Sequence, residues 1–197
     1  MTIKGLIIMW KRFRVWIDQL NTAELAFSAR TVTVATEQII LRQMTAADIG
    51  AALDIERDVY GDTPWDRFVF LSELQKVRSR LYVVAVNMAG RVVGFVGTSF
   101  RGAEAHITNL AVASDYQHHG LGKTLLEAMI GVARAHNDTR MTLEVRTDNT
   151  NAQQLYRSLG FRDGHIKRNY YASTHQDALD MRLELSPARA EMENGKA

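Results

Sequence analysis

The chain has 197 residues, of which 46% are hydrophobic, and this length and composition suit one domain with a substantial core. Its 24 Lys and Arg residues nearly balance 22 Asp and Glu residues, so the net charge of +2 gives no reason to expect direct nucleic-acid binding. The absence of cysteine excludes disulfides, thiolate zinc sites and a cysteine nucleophile. No apolar run approaches the roughly 20 residues of a membrane-spanning helix. No signal peptide is evident, so we expect a cytoplasmic protein.

Residues 1–36 are predicted to form an amphipathic helix followed by a linker. Between Leu6 and Leu20, apolar side chains recur at intervals of four and three, which is the spacing of one helical stripe. The favoured interpretation is that this stripe packs on the domain or on a second subunit. Two alternatives stay open: residues 1–20 contact an anionic membrane surface, or they dock to a ribosome or another partner. Residues 21–36 show no sustained period and are interpreted as the linker.

Residues 37–186 are predicted to form the main domain, with seven strands and four helices in an α/β fold. Short runs rich in β-branched residues indicate the strands, which are 38–41, 81–86, 91–99, 105–112, 141–145, 161–166 and 179–185. Apolar periodicity indicates the helices, which run from Thr45 to about Tyr60, Thr63 to about Arg78, Gly120 to His136, and Asn151 to Leu159. The polar, alanine-rich segment 187–197 is predicted to be a flexible tail.

Two capping signals predict where the first two helices of this domain begin. Thr45 is followed three residues later by Asp48, which is the pattern of a capping box. Thr63 is followed by Asp66 at the same spacing, and Pro64 suits the first helical position. We therefore expect N-caps at Thr45 and Thr63.

A glycine-containing segment, QHHGLG from Gln117 to Gly122, lies between a predicted strand and a predicted helix. Backbone N–H groups and the helix dipole attract anions at such a position. Gly120 and Gly122 remove side chains that would hold a phosphate away from those amides, and Lys123 adds a cation. The segment therefore predicts a pyrophosphate site, although an ordinary glycine-containing helix start stays open for so short a pattern. The spacing fits neither a Walker loop nor a dinucleotide fingerprint.

Two longer segments carry a resemblance to a known family. ITNLAVASDYQHHGLGKTLLEAMI, residues 107–130, resembles the acetyl-CoA-binding segment of GNAT acetyltransferases. LEVRTDNTNAQQLYRSLGF, residues 143–161, is similar to the RimI-type alanine N-acetyltransferases. Further matches are Pro64-Trp65, Asn169-Tyr170-Tyr171 and Asp177-Ala178, so the resemblance covers about Gln38 to Leu185.

The resemblance implies a GNAT-like fold and reaction. The expected fold is a mixed, mostly antiparallel seven-stranded sheet with helices on both faces. The expected reaction transfers acetyl from acetyl-CoA, as co-substrate, to a protein N-terminal α-amine, in particular the N-terminal alanine of a ribosomal protein. The family implies that Glu144 is the proton acceptor and Tyr156 the proton donor.

The resemblance also implies a set of residues that bind acetyl-CoA. Backbone groups of Leu110, Ala111 and Val112 are expected to meet the pantetheine arm and the thioester carbonyl. The side-chain amide of Asn149 is expected to contact CoA, although Asn149 also suits a turn. The residues expected to hold the pyrophosphate are His118, His119, Gly120, Leu121, Gly122 and Lys123.

The chemistry of acetyl transfer agrees with the two implied catalytic residues. A protonated amine must lose a proton before or during attack on a thioester, and a carboxylate such as Glu144 can accept it. The departing sulfur needs a proton donor, and a phenol such as Tyr156 can serve. Structural alternatives stay open for each residue alone, because Glu144 can pair with Arg146 and a tyrosine in a short helix often belongs to the core.

The acceptor is the least determined part of this prediction. Gln176 stands where relatives commonly have glutamate before Asp177, and the missing carboxylate puts the peptide preference in question. Two other functions stay open: acetylation of a small amine such as a polyamine, amino acid or aminoglycoside, and a non-catalytic CoA-binding module. No two histidines have the helical spacing of a zinc site, so we predict no metal.

Overall fold

The structure is a computed structural model that describes residues 24–61, 65–171 and 175–185. The helix predicted between Leu6 and Leu20 and the tail predicted over 187–197 lie outside these residues.

The described part of the chain forms one eight-stranded sheet and four α-helices. The strands are β1 (Arg30–Val34), β2 (Glu37–Gln43), β3 (Arg80–Asn87), β4 (Val92–Arg101), β5 (Glu104–Val112), β6 (Arg140–Arg146), β7 (Arg162–Tyr171) and β8 (Gln176–Glu184). The helices are α1 (Ile49–Tyr60), α2 (Arg67–Leu74), α3 (Leu121–Ala135) and α4 (Thr150–Ser158).

The strands lie in the order β1-β2-β3-β4-β5-β6-β8-β7, and every neighbouring pair is antiparallel except β5 and β6. Helix α3 connects β5 to β6, as a parallel pair requires. Buried residues of α3 and α4 pack on one face of the sheet, and those of α1 and α2 pack on the other. The predicted α/β fold, with a mixed, mostly antiparallel sheet and helices on both faces, is confirmed.

The eighth strand, β1, lies in the segment that we interpreted as a linker. It pairs with β2 along its whole length, from Arg30 opposite Leu41 to Val34 opposite Glu37. In its sequence, RTVTV, every residue after Arg30 is β-branched, a composition that favours a strand. The linker interpretation is wrong for these residues. A five-residue edge strand is too short for its side-chain pattern to distinguish it from irregular chain.

The capping prediction is right for the first helix and wrong for the second. The Asp48 carboxylate accepts hydrogen bonds from the backbone N–H and hydroxyl of Thr45 at 2.8 and 2.9 Å, in a 3₁₀ turn that leads into α1. Helix α2 begins after Asp66, whose carboxylate accepts from the Val69 N–H at 2.8 Å, and not at Thr63. It also ends at Leu74 rather than near Arg78, because turns lead from Gln75 into β3.

The feature that shapes the centre of the sheet is the short pairing between β5 and β6. Only three residue pairs join them, from Glu104 opposite Arg140 to His106 opposite Thr142. Beyond these pairs the two strands separate and leave a gap in the sheet. On its other side, β5 carries a bulge, because Gly97 of β4 pairs with Asn109 while Thr98 pairs with Ile107.

Gly97 provides a test of this bulge. A Cβ added there would lie 2.3 Å from Asn109 Oδ1, 2.3 Å from Tyr82 Cε1 and 2.8 Å from Thr108 Oγ1, so Gly97→Ala forces these side chains apart. We expect it to lower the free energy of unfolding by about 1–3 kcal/mol, measured by denaturant titration. Gly131→Ala is the control: that helical position has nothing within 4 Å, and alanine should add about 1 kcal/mol. Equal stability of Gly97→Ala and the parent chain would contradict this account.

Candidate active site

The edge of β5 that faces the gap presents backbone groups to the site. The Leu110 carbonyl accepts a hydrogen bond from the Tyr60 hydroxyl at 2.9 Å, and the Val112 carbonyl accepts one from Gln117 Nε2 at 3.0 Å. Ala111 lies opposite Phe95 of β4, as Leu110 and Val112 lie opposite Val96 and Gly94. Of the three backbone positions predicted to meet acetyl-CoA, the carbonyls of Leu110 and Val112 thus have side-chain partners from outside β4, and the contact of all three with acetyl-CoA stays a prediction.

The predicted pyrophosphate cradle lies where β5 leads into α3. Gly120 caps the helix with φ of 91°, a left-handed conformation that L side chains rarely adopt, and His118 is also left-handed with φ of 62°. The helix starts at Leu121, so the N–H groups of its first turn have no partner within the helix. His118, His119 and Lys123 are exposed around these amides. The residues present therefore fit a diphosphate.

Gly122 has a second reason to lack a side chain. A Cβ at this position would lie 3.3 Å from Leu155 Cδ2, so the glycine also allows α4 to pack closely against α3. Asn149 also has a structural role, because its Oδ1 accepts a 3.1 Å hydrogen bond from the Ala152 N–H and caps α4. Only the Nδ2 donor of Asn149 is then left for the predicted contact with CoA.

Glu144 lies on β6 between two basic side chains. Its Oε2 is 3.2 Å from His106 Nε2, and its Oε1 accepts a 2.5 Å hydrogen bond from Lys167 Nζ. The hydrogen bond with His106, supported by the one with Lys167, outweighs partial burial and lowers the pKa of Glu144 to about 2. Glu144 is therefore ionised at neutral pH and holds an ammonium group, that of Lys167, which also lies 3.3 Å from Asp180.

The structural alternative for Glu144, a pair with Arg146, is not found in the structure. Arg146 pairs with Asp148, at 2.9 and 2.7 Å, and Glu144 pairs with His106 and Lys167 instead. Asp148 also accepts from Gln176 Nε2 at 3.1 Å, a bond that a glutamate at this position could not donate.

Tyr156 lies at the buried end of α4, where it packs against Phe161 with ring centroids 5.8 Å apart. Burial raises the pKa of its hydroxyl, and negative charge on Tyr60 or Tyr171 would raise it further. Tyr156 thus belongs to the core and also stays protonated, as a proton donor must. No hydrogen bond between described residues joins Tyr156 to Glu144, and the roles of both residues stay predictions.

A second buried carboxylate, Glu56 on α1, was not predicted from the sequence. It is only 3% exposed; Asn109 Nδ2 donates to its Oε1 over 3.4 Å, and its buried Oε2 has no hydrogen-bond partner. Burial raises the pKa of Glu56 to about 7, and the bond from Asn109 opposes the shift only weakly. The signal that could have revealed it is its helical spacing: Glu56 follows Ala52 by four residues, on the buried stripe of α1.

His106 and Lys167 also went unrecognised as site residues. His106 Nδ1 lies 2.8 Å from the Thr142 hydroxyl, which donates to Glu104 at 3.0 Å. These contacts join β5 to β6, and the Lys167 contact joins β7 to β6. A sequence read along the chain does not show them, because each depends on the register between separate strands.

Within the described ranges, no group of three or more His, Asp and Glu side chains is placed to hold a metal ion. None of the helices described there is both long and apolar enough to cross a membrane.

Comparison with known proteins identifies the family. The profile of the acetyltransferase (GNAT) family matches residues 49–161. The chain belongs to the GNAT acetyltransferase family. It is 36% identical over 148 residues to the ribosomal protein bS18-alanine N-acetyltransferase of Escherichia coli K12, covering 74% of this chain and 97% of the relative. The resemblance to this GNAT subgroup is thereby confirmed, and GNAT enzymes use acetyl-CoA.

One further GNAT relative and a solved structure agree. The N-alpha-acetyltransferase RimI of Mycobacterium tuberculosis is 33% identical over 158 residues, covering 78% of this chain and 97% of the relative. The crystal structure of the E. coli ribosomal-protein-S18-alanine N-acetyltransferase superimposes with a TM-score of 0.68 at 34% identity, covering 76% of this chain and 96% of that chain.

The contacts of Glu144 with His106 and Lys167 predict how stability depends on pH. Because the folded-state pKa of Glu144 is depressed from 4.5 to about 2, its stabilisation is present above pH 4.5 and is lost as the pH falls towards 2. Glu144→Gln should therefore lower the free energy of unfolding by about 2–3 kcal/mol at neutral pH, with a difference that shrinks in acid.

Denaturant titrations at several pH values measure this difference. Asp115→Asn is the control, because Asp115 forms an exposed ion pair with Arg91 and its loss should change stability little. A difference between Glu144→Gln and the parent that is the same in acid and at neutral pH would contradict the prediction.

Proposed function

We propose that this GNAT enzyme transfers acetyl from acetyl-CoA to the N-terminal α-amine of a protein, and that the acceptor is the N-terminal alanine of a ribosomal protein. The observation that carries the proposal is the ammonium of Lys167 on the Glu144 carboxylate, beside the gap that exposes the backbone of β5. The site thus has a place for an amine next to a place for the thioester. The E. coli relative named above acts on an alanine of ribosomal protein bS18, and the M. tuberculosis relative is an N-alpha-acetyltransferase, which supports the acceptor class.

The proposed binding mode of acetyl-CoA uses the backbone and the cradle. When bound, acetyl-CoA supplies the activated acetyl group as a thioester. The open β5 edge at Leu110 and Val112 is suited to the pantetheine arm and the thioester carbonyl, in place of the present bonds from Tyr60 and Gln117. The first turn of α3, with Gly120 at its N-cap, is suited to the pyrophosphate.

The proposed catalytic pair is Glu144 and Tyr156. Glu144 is ionised and binds the ammonium of the acceptor once Lys167 has moved away. The role that the resemblance implies for it, acceptance of the proton, stays a prediction. Tyr156 is buried and protonated, and it donates a proton to the departing sulfur.

The acceptor groove is proposed to lie over β7 and α2. Tyr170 on β7 and Phe68 on α2 are exposed by 47% and 78%, which is unusual for aromatic side chains that serve only the core. Gln176, at the start of β8, ties Asp148 and leaves this side of the groove with one carboxylate fewer than a glutamate would provide. With one carboxylate fewer, the groove should favour a basic continuation of an alanine-starting peptide less strongly than it would with a glutamate at this position.

Acetylation assays test the proposed function. The full-length protein is incubated with acetyl-CoA and a peptide that starts with alanine, and intact mass spectrometry follows the gain of one acetyl group. Spermidine and an N-terminally blocked peptide of the same sequence are the controls. We expect acetylation of the free peptide only; acetylation of spermidine alone would assign the chain to the small-amine enzymes.

Two variants test the catalytic pair in the same assay. Glu144→Gln and Tyr156→Phe should each lower kcat by about 100-fold, since a positioned acid or base contributes about 10²–10⁴-fold. The CoA affinity of both variants, measured by calorimetry, should match that of the parent chain. Full activity in both variants would refute the roles of these residues and leave the acetyl-CoA site standing.

A further inference from the structure

A polar cavity of about 350 Å³ lies on one face of the sheet, and the proposed function does not use it. Arg80, which lines it, shares that face with Tyr82, and Tyr82 packs against Phe70 of α2. Most small-molecule pockets have an apolar lining, whereas the side chains of this cavity are all polar or charged. They come from β3, β4 and β5 and are Arg80, Ser99, Arg101, Glu104, His106 and Thr108.

Cross-strand pairing connects this cavity to Glu144. Ser99 of β4 pairs with Arg80 of β3 on one side and with His106 of β5 on the other. His106 in turn pairs with Thr142 of β6, so the four residues form one row across the sheet. Glu144 follows Thr142 by two residues on the same face, and its Oε2 is 3.2 Å from His106 Nε2. His106 thus lies between the cavity and the carboxylate that is proposed to bind the acceptor ammonium.

Two buried side chains of the cavity have hydrogen-bond donors that are not used. The Arg80 side chain is 10% exposed; its Nε donates to Glu73 at 2.5 Å and its Nη1 to the Ser79 carbonyl at 2.9 Å. Its Nη2 donates to no other described residue. Ser99 is 5% exposed, and no hydrogen bond joins its hydroxyl to another described residue. Because buried donors normally have partners, these two indicate a ligand that accepts hydrogen bonds.

The charges around the cavity favour an anionic ligand. Arg101 is exposed and forms no ion pair within the described ranges, whereas the carboxylate of Glu104 accepts a 2.5 Å hydrogen bond from Arg140. The contact of His106 with Glu144 belongs to the ammonium site. The other charged lining residues and the groups paired with them comprise four cations and two carboxylates, which are Arg80, Arg101, Arg140, Lys76, Glu73 and Glu104.

The spacing of the strands determines which part of an acceptor peptide reaches this cavity. Neighbouring strands lie about 4.8 Å apart, so β4 is about 10 Å from β6 across the sheet. An extended peptide advances about 3.3 Å per residue. An acceptor that holds its α-amine on Glu144 and crosses the sheet along the row therefore brings its third or fourth residue to Ser99 and Arg101.

We propose that this cavity is a specificity subsite, which binds an acidic side chain at the third or fourth residue of the acceptor. This inference rests on the proposed function and narrows its acceptor class. The Ser99 hydroxyl, Arg80 Nη2 and the Arg101 guanidinium donate hydrogen bonds to the acceptor carboxylate, while Glu144 binds the α-ammonium. A basic side chain at the same residue is repelled by Arg101 and is therefore disfavoured.

Matched peptides test this subsite with the full-length protein and acetyl-CoA. The peptides start with alanine and differ at residue 3 alone or at residue 4 alone, where they carry glutamate, glutamine or lysine. At one of these residues the parent chain should favour glutamate over glutamine by about 10-fold in kcat/KM, and lysine should be the poorest. The preference should lie in KM rather than kcat, because the subsite is remote from the reacting atoms.

Variants of the cavity separate a binding role from a structural one. Ser99→Ala and Arg101→Gln should each reduce the preference for glutamate to about 3-fold or less, and Arg101→Glu should reverse it in favour of lysine. Arg182→Gln is the matched control: Arg182 lies opposite Thr142 on β8, on the same sheet face but outside the cavity, and its loss should keep the preference of the parent chain. Because each variant is given both peptides, the ratio does not depend on the fraction of folded protein.

The outcomes distinguish failure of the subsite from failure of the proposed function. Equal kcat/KM for the glutamate and glutamine peptides at both residues in the parent chain would overturn the subsite and leave the proposed function standing. A preference for glutamate that survives Arg101→Glu would do the same. If the chain binds CoA but acetylates no alanine-starting peptide, the proposed function fails, and the subsite fails with it.

Discussion

The separation of β5 and β6 after three residue pairs is the constraint on which the rest of the structure depends. Two parallel strands that stop pairing leave backbone N–H and C=O groups in the middle of a sheet, and such groups need partners. In this chain the Tyr60 hydroxyl and the Gln117 amide supply two of those partners, at Leu110 and Val112. The candidate catalytic and binding residues lie on β5 and β6 and on the helices α3 and α4 that flank them, or just before those helices.

The gap is kept open by features on both of its sides. The bulge of β5 directs Thr108 and Asn109 towards α1, and Gly97 leaves room for them. On the other side, the contact of Glu144 with His106 and its ion pair with Lys167 join β6 to β5 and β7. One side of β5 is thus held by hydrogen bonds under a helix, and the other by a histidine contact and a partly exposed ion pair. This asymmetry is the physical reason that Glu56 and Glu144 have such different affinities for a proton.

Much of the fold could be predicted from the sequence because its elements are locally specified. Valine-rich runs predicted β3 and β4, the capping box at Thr45 predicted the start of α1, and the segment from Gln117 to Gly122 predicted the start of α3. The short strand β1 was missed because five residues show no sustained period, and the cap at Asp66 was missed because Thr63-Pro64 offers a competing capping pattern. The contacts of Glu56, His106 and Lys167 could not be predicted, because they join elements 23 to 53 residues apart.

The bond between the Tyr60 hydroxyl and the Leu110 carbonyl has a consequence for ligand affinity. A ligand amide that takes this carbonyl exchanges one neutral hydrogen bond for another, so the exchange contributes little net free energy. In the proposed binding mode, charge attraction is added only at the anionic end of a CoA-like molecule, where the exposed first turn of α3 carries Lys123. Attraction between exposed charges is screened by salt, so added salt would weaken the pyrophosphate contacts of the proposed site more than the hydrogen bonds along β5.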